Sequence, residues 1–189
     1  MKKIMLISLT FLLASAFVVN EVSKWSLDGS HSRLGFTITH MGITDVHGEF
    51  SKFDINVIQP NADFSGATIE MSAESKSINT GISMRDDHLR AAEYFNVEKF
   101  PKLNFKSTFV KKIKENEYEI VGDFTMKGVS KKVTLSAIHT GNAKTKGGES
   151  AGLKILGVVK RSDFGIGEVG PGLSDEVKLI ADLEISKED

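Results

Sequence analysis

Apolar and polar residues alternate along most of this chain with a period of two. Leu34, Phe36, Ile38 and His40 share one face of a segment whose other face carries Arg33, Thr37 and Thr39. Ile55 and Val57 alternate with Asp54, Asn56 and Ile58, and Ile69, Met71 and Ala73 with Glu70 and Ser72. The pattern returns in Leu103, Phe105, Ser107 and Phe109, in Tyr118, Ile120, Gly122 and Phe124, and in Val133, Leu135 and Ala137. It returns last in Val177, Leu179, Ala181, Leu183 and Ile185. Strict alternation marks half-buried strands, because successive side chains of a strand point to opposite faces. With Lys154 to Arg161, about eight strands are predicted. Their short Gly, Asn or Asp connections, including a turn at Lys127-Gly128, favour an antiparallel meander, since parallel strands need helical crossovers. A closed barrel of this size has room for one ligand; a sandwich with a filled core is the competing architecture, and period alone does not separate them. Either parity could face inward.

Two glycine-rich stretches interrupt the strands. "GNAKTKGGES" (141–150) reads as a polar connection and the most mobile part of the mature chain. "DFGIGEVGPGL" (163–173) is a second long connection. The triplet "GEF" at Gly48 recurs as "GDF" at Gly122, which reads as two similar turn-to-strand entries. A helix is predicted over Gly81 to Glu93, capped by Ser83 with Asp86 completing a weaker capping box, and with Leu89, Ala92 and Phe95 on its apolar stripe.

The chain opens Met1-Lys2-Lys3, runs apolar from Ile4 to Val19 and contains Ala14-Ser15-Ala16. This is the pattern of a secretory signal peptide, too short for a spanning helix. The expected organisation is a signal over residues 1–16 and one domain over 17–189, exported to the periplasm. Removing the signal deletes two lysines and no acid, moving the net charge from -1 to -3, which disfavours nucleic acid as a partner. The chain has no cysteine, so neither a disulfide framework nor a thiol nucleophile is available.

The densest polar cluster is Arg85, Asp86, Asp87, His88 and Arg90. His88 beside Asp86 could serve as a base with its orienting carboxylate, but no serine sits in a nucleophile elbow, and helix neighbours point in different directions. His31, His40 and His47 lack metal-ligand spacing and read as structural or pocket-polar histidines, so no metal and no cofactor is expected. "DFG" at Asp163 lacks the rest of a kinase set, and "GIGEVGPG" lacks the strand-turn-helix context of a dinucleotide loop.

Several stretches together resemble the YceI-like family: "WSLDGSHSRLGFTITHMGITDVHGEF", "SINTGISMRDDHLRAAEYFNVEKFPKLNFKS", "VGDFTMKGVSKKVTL" and "VVKRSDFGIG". The similarity runs from about Lys24 to Glu184. It implies an all-β, eight-stranded antiparallel lipocalin-like barrel with a short helix near one opening, usually periplasmic, in some members holding a polyisoprenoid. Residues 77 to 101 would form the barrel mouth, with Arg85, Asp86 and His88 matching R-D-x-H-L.

The expected function is an exported binding protein, not an enzyme, that holds a long apolar isoprenoid lipid of polyprenyl or quinone type. The alternatives are a periplasmic protein-interaction module with a filled core and a hydrolase or isomerase acting on a lipid. Phe36, Ile38, His40, Arg85, Phe105, Phe109, Phe124, Leu179 and Leu183 are the expected ligand contacts. Asp86 and His88 are expected to fasten the helix across the barrel end. The expected partners are an isoprenoid or other apolar lipid, transient contact with a membrane and, as an option, a second copy in a homodimer.

Overall fold

The structure is a computed structural model that describes residues 22–188; the expected signal peptide lies outside the described residues. Eleven strand segments form a single antiparallel sheet that closes on itself. They are β1 (Ser23–Leu27), β2 (Arg33–His40), β3 (Thr44–Phe50), β4 (Phe53–Gln59), β5 (Thr68–Glu74), β6 (Ile78–Asn79), β7 (Lys102–Lys114), β8 (Glu117–Met126), β9 (Val129–Thr145), β10 (Gly148–Lys160) and β11 (Leu173–Lys187). β1 closes the ring by pairing with both β4 and β11.

Segment number and barrel order are reconciled by two interrupted strands. β1 and β2 run in line along β11, and β3 and β4 run in line along β2 and β1. Counted as single strands, and with the two-residue β6 set aside as an appendage of β3, they give a closed barrel of eight. Ser32 carries the ladder across the first break: its hydroxyl accepts from the Glu184 N–H at 2.9 Å and donates to the Glu184 carbonyl at 3.3 Å.

The parity left open by the sequence is settled by burial. Trp25, Ile55, Val57, Ile69, Ala73, Leu103, Phe105, Tyr118, Ile120, Phe124, Leu153, Ala181, Leu183 and Ile185 are buried inside the barrel. Phe109 breaks the rule. It lies on the outer face, 53% exposed, because the β7–β8 register shifts between Ser107 and Phe109. One extra residue at a bulge inverts every side chain beyond it, so Val110 turns inward in its place. The connection expected over 141–150 is instead paired strand: β9 and β10 run through it, from Gly141↔Gly152 to Thr145↔Gly148, as a long hairpin. A ladder needs only backbone groups, so polar side chains do not stop it.

The two barrel ends differ. At one, Trp25 donates its indole N–H to Gln59 Oε1 at 2.8 Å, and Phe64 packs against Trp25, Tyr118 and His139 with ring centroids 6.0, 6.3 and 5.2 Å apart. Burying each such large apolar side chain stabilises the fold by roughly 1.5–3 kcal/mol, and the buried, packed rings of Trp25, Phe64 and Tyr118 fill and seal this end. At the other lies the helix α1 (Ser83–Arg90), shorter than expected. Ile82 occupies its N-cap position without a side-chain cap; Ser83 is already inside the helix. Asp86 does not complete a capping box, because its carboxylate turns back to Thr80.

Candidate functional site

Two adjoining cavities occupy the barrel between the sealed end and the helix. The inner one is about 90 Å³ and is lined by Leu34, Ile69, Met71, Phe105, Ile120 and Ile155 among others. The outer one is about 270 Å³ and includes Ile38, Val46, Leu89, Tyr94, Phe95, Val159 and Ile166. Phe36, Phe50, Leu103, Phe124 and Leu179 line both, and so stand between the two parts of the apolar interior, the passage. Period two places these residues: each strand turns every second side chain inward.

Two of the phenylalanines lining the passage depend on glycines opposite them. Phe36 pairs with Gly48, where an added Cβ would sit 2.3 Å from the Phe36 ring. Phe105 lies over Gly122, where a Cβ would meet the ring at 2.4 Å and the Lys106 carbonyl at 2.5 Å. The recurrence of "GEF" and "GDF" thus has a steric cause: a bare backbone leaves room for a ring to lie flat on it.

Polar groups gather at the mouth, where His40, Thr80, Arg85 and Arg161 line the outer cavity. Arg85 and Asp86 meet through Thr80 rather than each other. Arg85 donates from Nε to Thr80 Oγ1 at 2.7 Å and from Nη2 to the Thr80 carbonyl at 2.9 Å. The buried Asp86 carboxylate accepts from the Thr80 N–H at 2.8 Å and its hydroxyl at 2.6 Å. Charge-assisted bonds of this kind fasten the helix start to the segment before it.

His88 stands apart, exposed on the outside, edge-on to Tyr94 at 4.9 Å with Nε2 3.7 Å from Glu93. Asp87 pairs with Arg90 at 2.8 Å, and Arg90 also donates to the Lys76 and Ile78 carbonyls. Arg90, rather than His88, ties the helix end to the preceding segment. Asp86, Asp87 and His88 point to three different partners, so their adjacency in sequence does not make a dyad.

Arg161 is a mouth residue the sequence reading missed. It is buried, and its guanidinium donates to the carbonyls of Ser174, Ile166, Glu168 and Leu173 at 2.9–3.2 Å. The signal was available: counting in twos from Leu153 through Val159 turns Arg161 inward. Asp175 receives the Ser162 N–H and hydroxyl, and these bonds, helped by the nearby Arg161 charge, hold its carboxyl below the usual range. Lys127 reaches the Glu93 and Gly165 carbonyls, tying the two mouth loops together, and burial lowers its amine below the usual lysine range.

Of the other expected contacts, Phe36, Ile38, His40, Arg85, Phe105, Phe124 and Leu179 all line the passage. Leu183 faces inward in the core without lining either cavity, and Phe109 is outside. The histidines are dispersed. His47 meets Thr37 at 3.0 Å, and His31 meets Asp28 at 2.9 Å on the outer surface. Asp28, His31 and Glu184 have ligand atoms within 4.8 Å of one another, the one such set among the described residues.

A closed barrel of eight antiparallel strands around an apolar passage, sealed at one end and helix-covered at the other, defines the class: an up-and-down antiparallel β-barrel with an apolar interior cavity. A profile of the YceI-like domain matches residues 25–185, and the chain belongs to that family. Protein YceI of Salmonella arizonae is 37% identical over 181 residues, covering 95% of this chain and 93% of that protein. The crystal structure of the Campylobacter jejuni YCEI protein aligns with a TM-score of 0.71 at 31% identity, covering 86% of this chain and 96% of that one. At the level of fold alone, the barrel also matches a polyisoprenoid binding domain from Saccharophagus degradans, with a TM-score of 0.61 at 13% identity over 87% of this chain and 98% of that one.

Proposed function

We propose that this protein is an exported, non-catalytic binding protein that holds a long apolar isoprenoid lipid, of polyprenyl or quinone type, for carriage, storage or sequestration. The observation that carries the reading is the passage itself: apolar throughout, sealed at the Trp25 end and open at a mouth where polar groups collect. Burying hydrocarbon contributes about 0.8 kcal/mol per methylene, so such a passage retains a chain without many polar contacts. The polyisoprenoid-binding domain with the same fold supports the ligand class. In this reading Phe36, Ile38, Phe105, Phe124 and Leu179 contact the chain, and Arg85 and His40 meet its polar end. Export is the second part of the reading, resting on the Lys2-Lys3 start and Ala14-Ser15-Ala16. A homodimer is compatible with it, and sedimentation analysis reads that state directly.

Protein purified from its own periplasm should carry a lipid identifiable by mass spectrometry, and its intact mass should lack the first sixteen to twenty residues, as such signals imply. After delipidation the wild type should take up a polyprenyl compound. Phe105→Trp, which adds volume to the smaller, inner cavity, should take up less while remaining folded. A folded wild type that accepts no isoprenoid or fatty lipid would sink the reading and favour an interaction module.

A further inference from the structure

The rim of the mouth spends large apolar side chains where the fold has no use for them. Ile43 and Met84 are 85% and 84% exposed, and Met41, Ile82 and Val169 are each more than half exposed. All five adjoin the mouth. Met41 and Ile43 belong to the turn between His40 and Val46, Ile82 and Met84 flank the helix start between Thr80 and Arg85, and Val169 precedes Leu173. His40, Val46, Thr80, Arg85 and Leu173 all line the outer cavity. The Met41 N–H donates to the Gly172 carbonyl at 3.0 Å, joining two of the three rim segments.

Two further observations set this rim apart. Residues 41–44, 80–84 and 169–174 contain no charged side chain, although 26% of the chain is charged. Met41 and Gly42 both have positive φ, at 55° and 69°, the pattern of a type I′ turn, where asparagine-glycine is favoured. A left-handed methionine costs stability at a position where asparagine would cost less. What the fold would choose here is not what the sequence carries.

We propose that this rim docks on a lipid bilayer and sets the mouth of the passage against the membrane. The inference rests on the reading of the passage as a lipid site, since an apolar ligand has its reservoir in a bilayer. A fluid surface also suits the geometry better than a folded partner does. The apolar tips stand on three separated segments around an opening, whereas a stable protein interface needs a continuous complementary patch of about 800 Å² on each side. A bilayer needs no matched patch, since binding there scales with the total apolar area that enters the headgroup and acyl boundary.

The test uses the mature chain with vesicles of phosphatidylethanolamine and phosphatidylglycerol that contain no isoprenoid. Wild type should co-sediment with them, and Ile43→Trp should show a blue-shifted emission on binding. The double variant Ile43→Ser, Met84→Ser should lose at least about tenfold in partition, by the scale of apolar burial. Its melting temperature should stay at the wild-type value, because both side chains are exposed. A wild type that stays in the supernatant overturns the proposal, as does a double variant that pellets equally well. So does loss of self-association, rather than of vesicle binding, in that variant. Loading with a polyprenol from detergent micelles separates the two readings. A double variant that loads from micelles but not from a second set of vesicles carrying the same polyprenol supports docking. A wild type that pellets with vesicles yet never loads would overturn the lipid-holding function and leave the docking surface standing.

Discussion

Gly48 and Gly122 offer a direct test of how the passage is built. Gly48 lies outside the left-handed region, so alanine can adopt its backbone, and the cost of Gly48→Ala is purely steric. The new methyl would stand 2.3 Å from Phe36 Cζ, with the two Cε atoms at 2.7 and 2.9 Å. The whole outer edge of the ring must move, and the space open to it is the passage. Forcing a methyl into packed contacts costs about 1–3 kcal/mol. For a domain of this length each kcal/mol lowers Tm by roughly 2–4 °C, so a fall of about 2–12 °C is expected. Gly122→Ala should cost more, because its Cβ also meets the Lys106 carbonyl at 2.5 Å and backbone yields less readily than a ring. Thermal and chemical denaturation of delipidated protein measure both. The double variant Gly48→Ala, Phe36→Leu should recover much of the loss, with a coupling of about 0.5–3 kcal/mol expected between touching residues. If Gly48→Ala melts like wild type, or if Phe36→Leu fails to rescue it, the ring-over-glycine account is wrong.

Asp86→Ala should lower stability by about 1.5–3 kcal/mol with or without lipid, since it removes the charged acceptor of two Thr80 donors; unchanged melting with weakened uptake would move Asp86 to the ligand. Arg161→Met should cost at least about 3 kcal/mol by leaving four carbonyls without their donor, read as a lower denaturation midpoint. At the outer seam, the Asp28 carboxylate raises the His31 pKa and His31 lowers that of Asp28, mainly through their hydrogen bond. His31 is protonated more readily in the folded state, so its contribution is complete below the ordinary histidine pKa and fades as pH rises through the raised value. NMR titration should show His31 above the usual range, returning toward it in Asp28→Asn.

The strand count was legible because alternation is a local property. Eight strands were readable although the chain breaks two of them, since each interrupted pair keeps at least one clearly alternating half. Parity was not legible: nothing in Leu103, Phe105, Ser107 and Phe109 marks the bulge that sends Phe109 outward, because a bulge is a relation between two strands. Arg161 was hidden by the opposite error. Charge argued for the outside while the period pointed inward, and the period won because four backbone carbonyls satisfy the guanidinium. Of the cluster at 85–88, Arg85 lines the outer cavity while His88 lies on the outside, and the connection through Thr80 depends on a turn geometry that spacing does not encode. The "GEF" and "GDF" triplets were visible; their cause, a ring on the neighbouring strand, was not.

The sealed end has a consequence in time. On the proposed function, a lipid chain held between the Trp25–Phe64–Tyr118 seal and the helix must leave by the way it entered, one carbon after another. In water each methylene withdrawn loses about 0.8 kcal/mol, which multiplies the dwell time about fourfold. Carbons that extend beyond the mouth add nothing. Residence should therefore rise steeply with chain length and then level off where the passage is full, so that a blind barrel works as a clock whose setting is the length of its occupant.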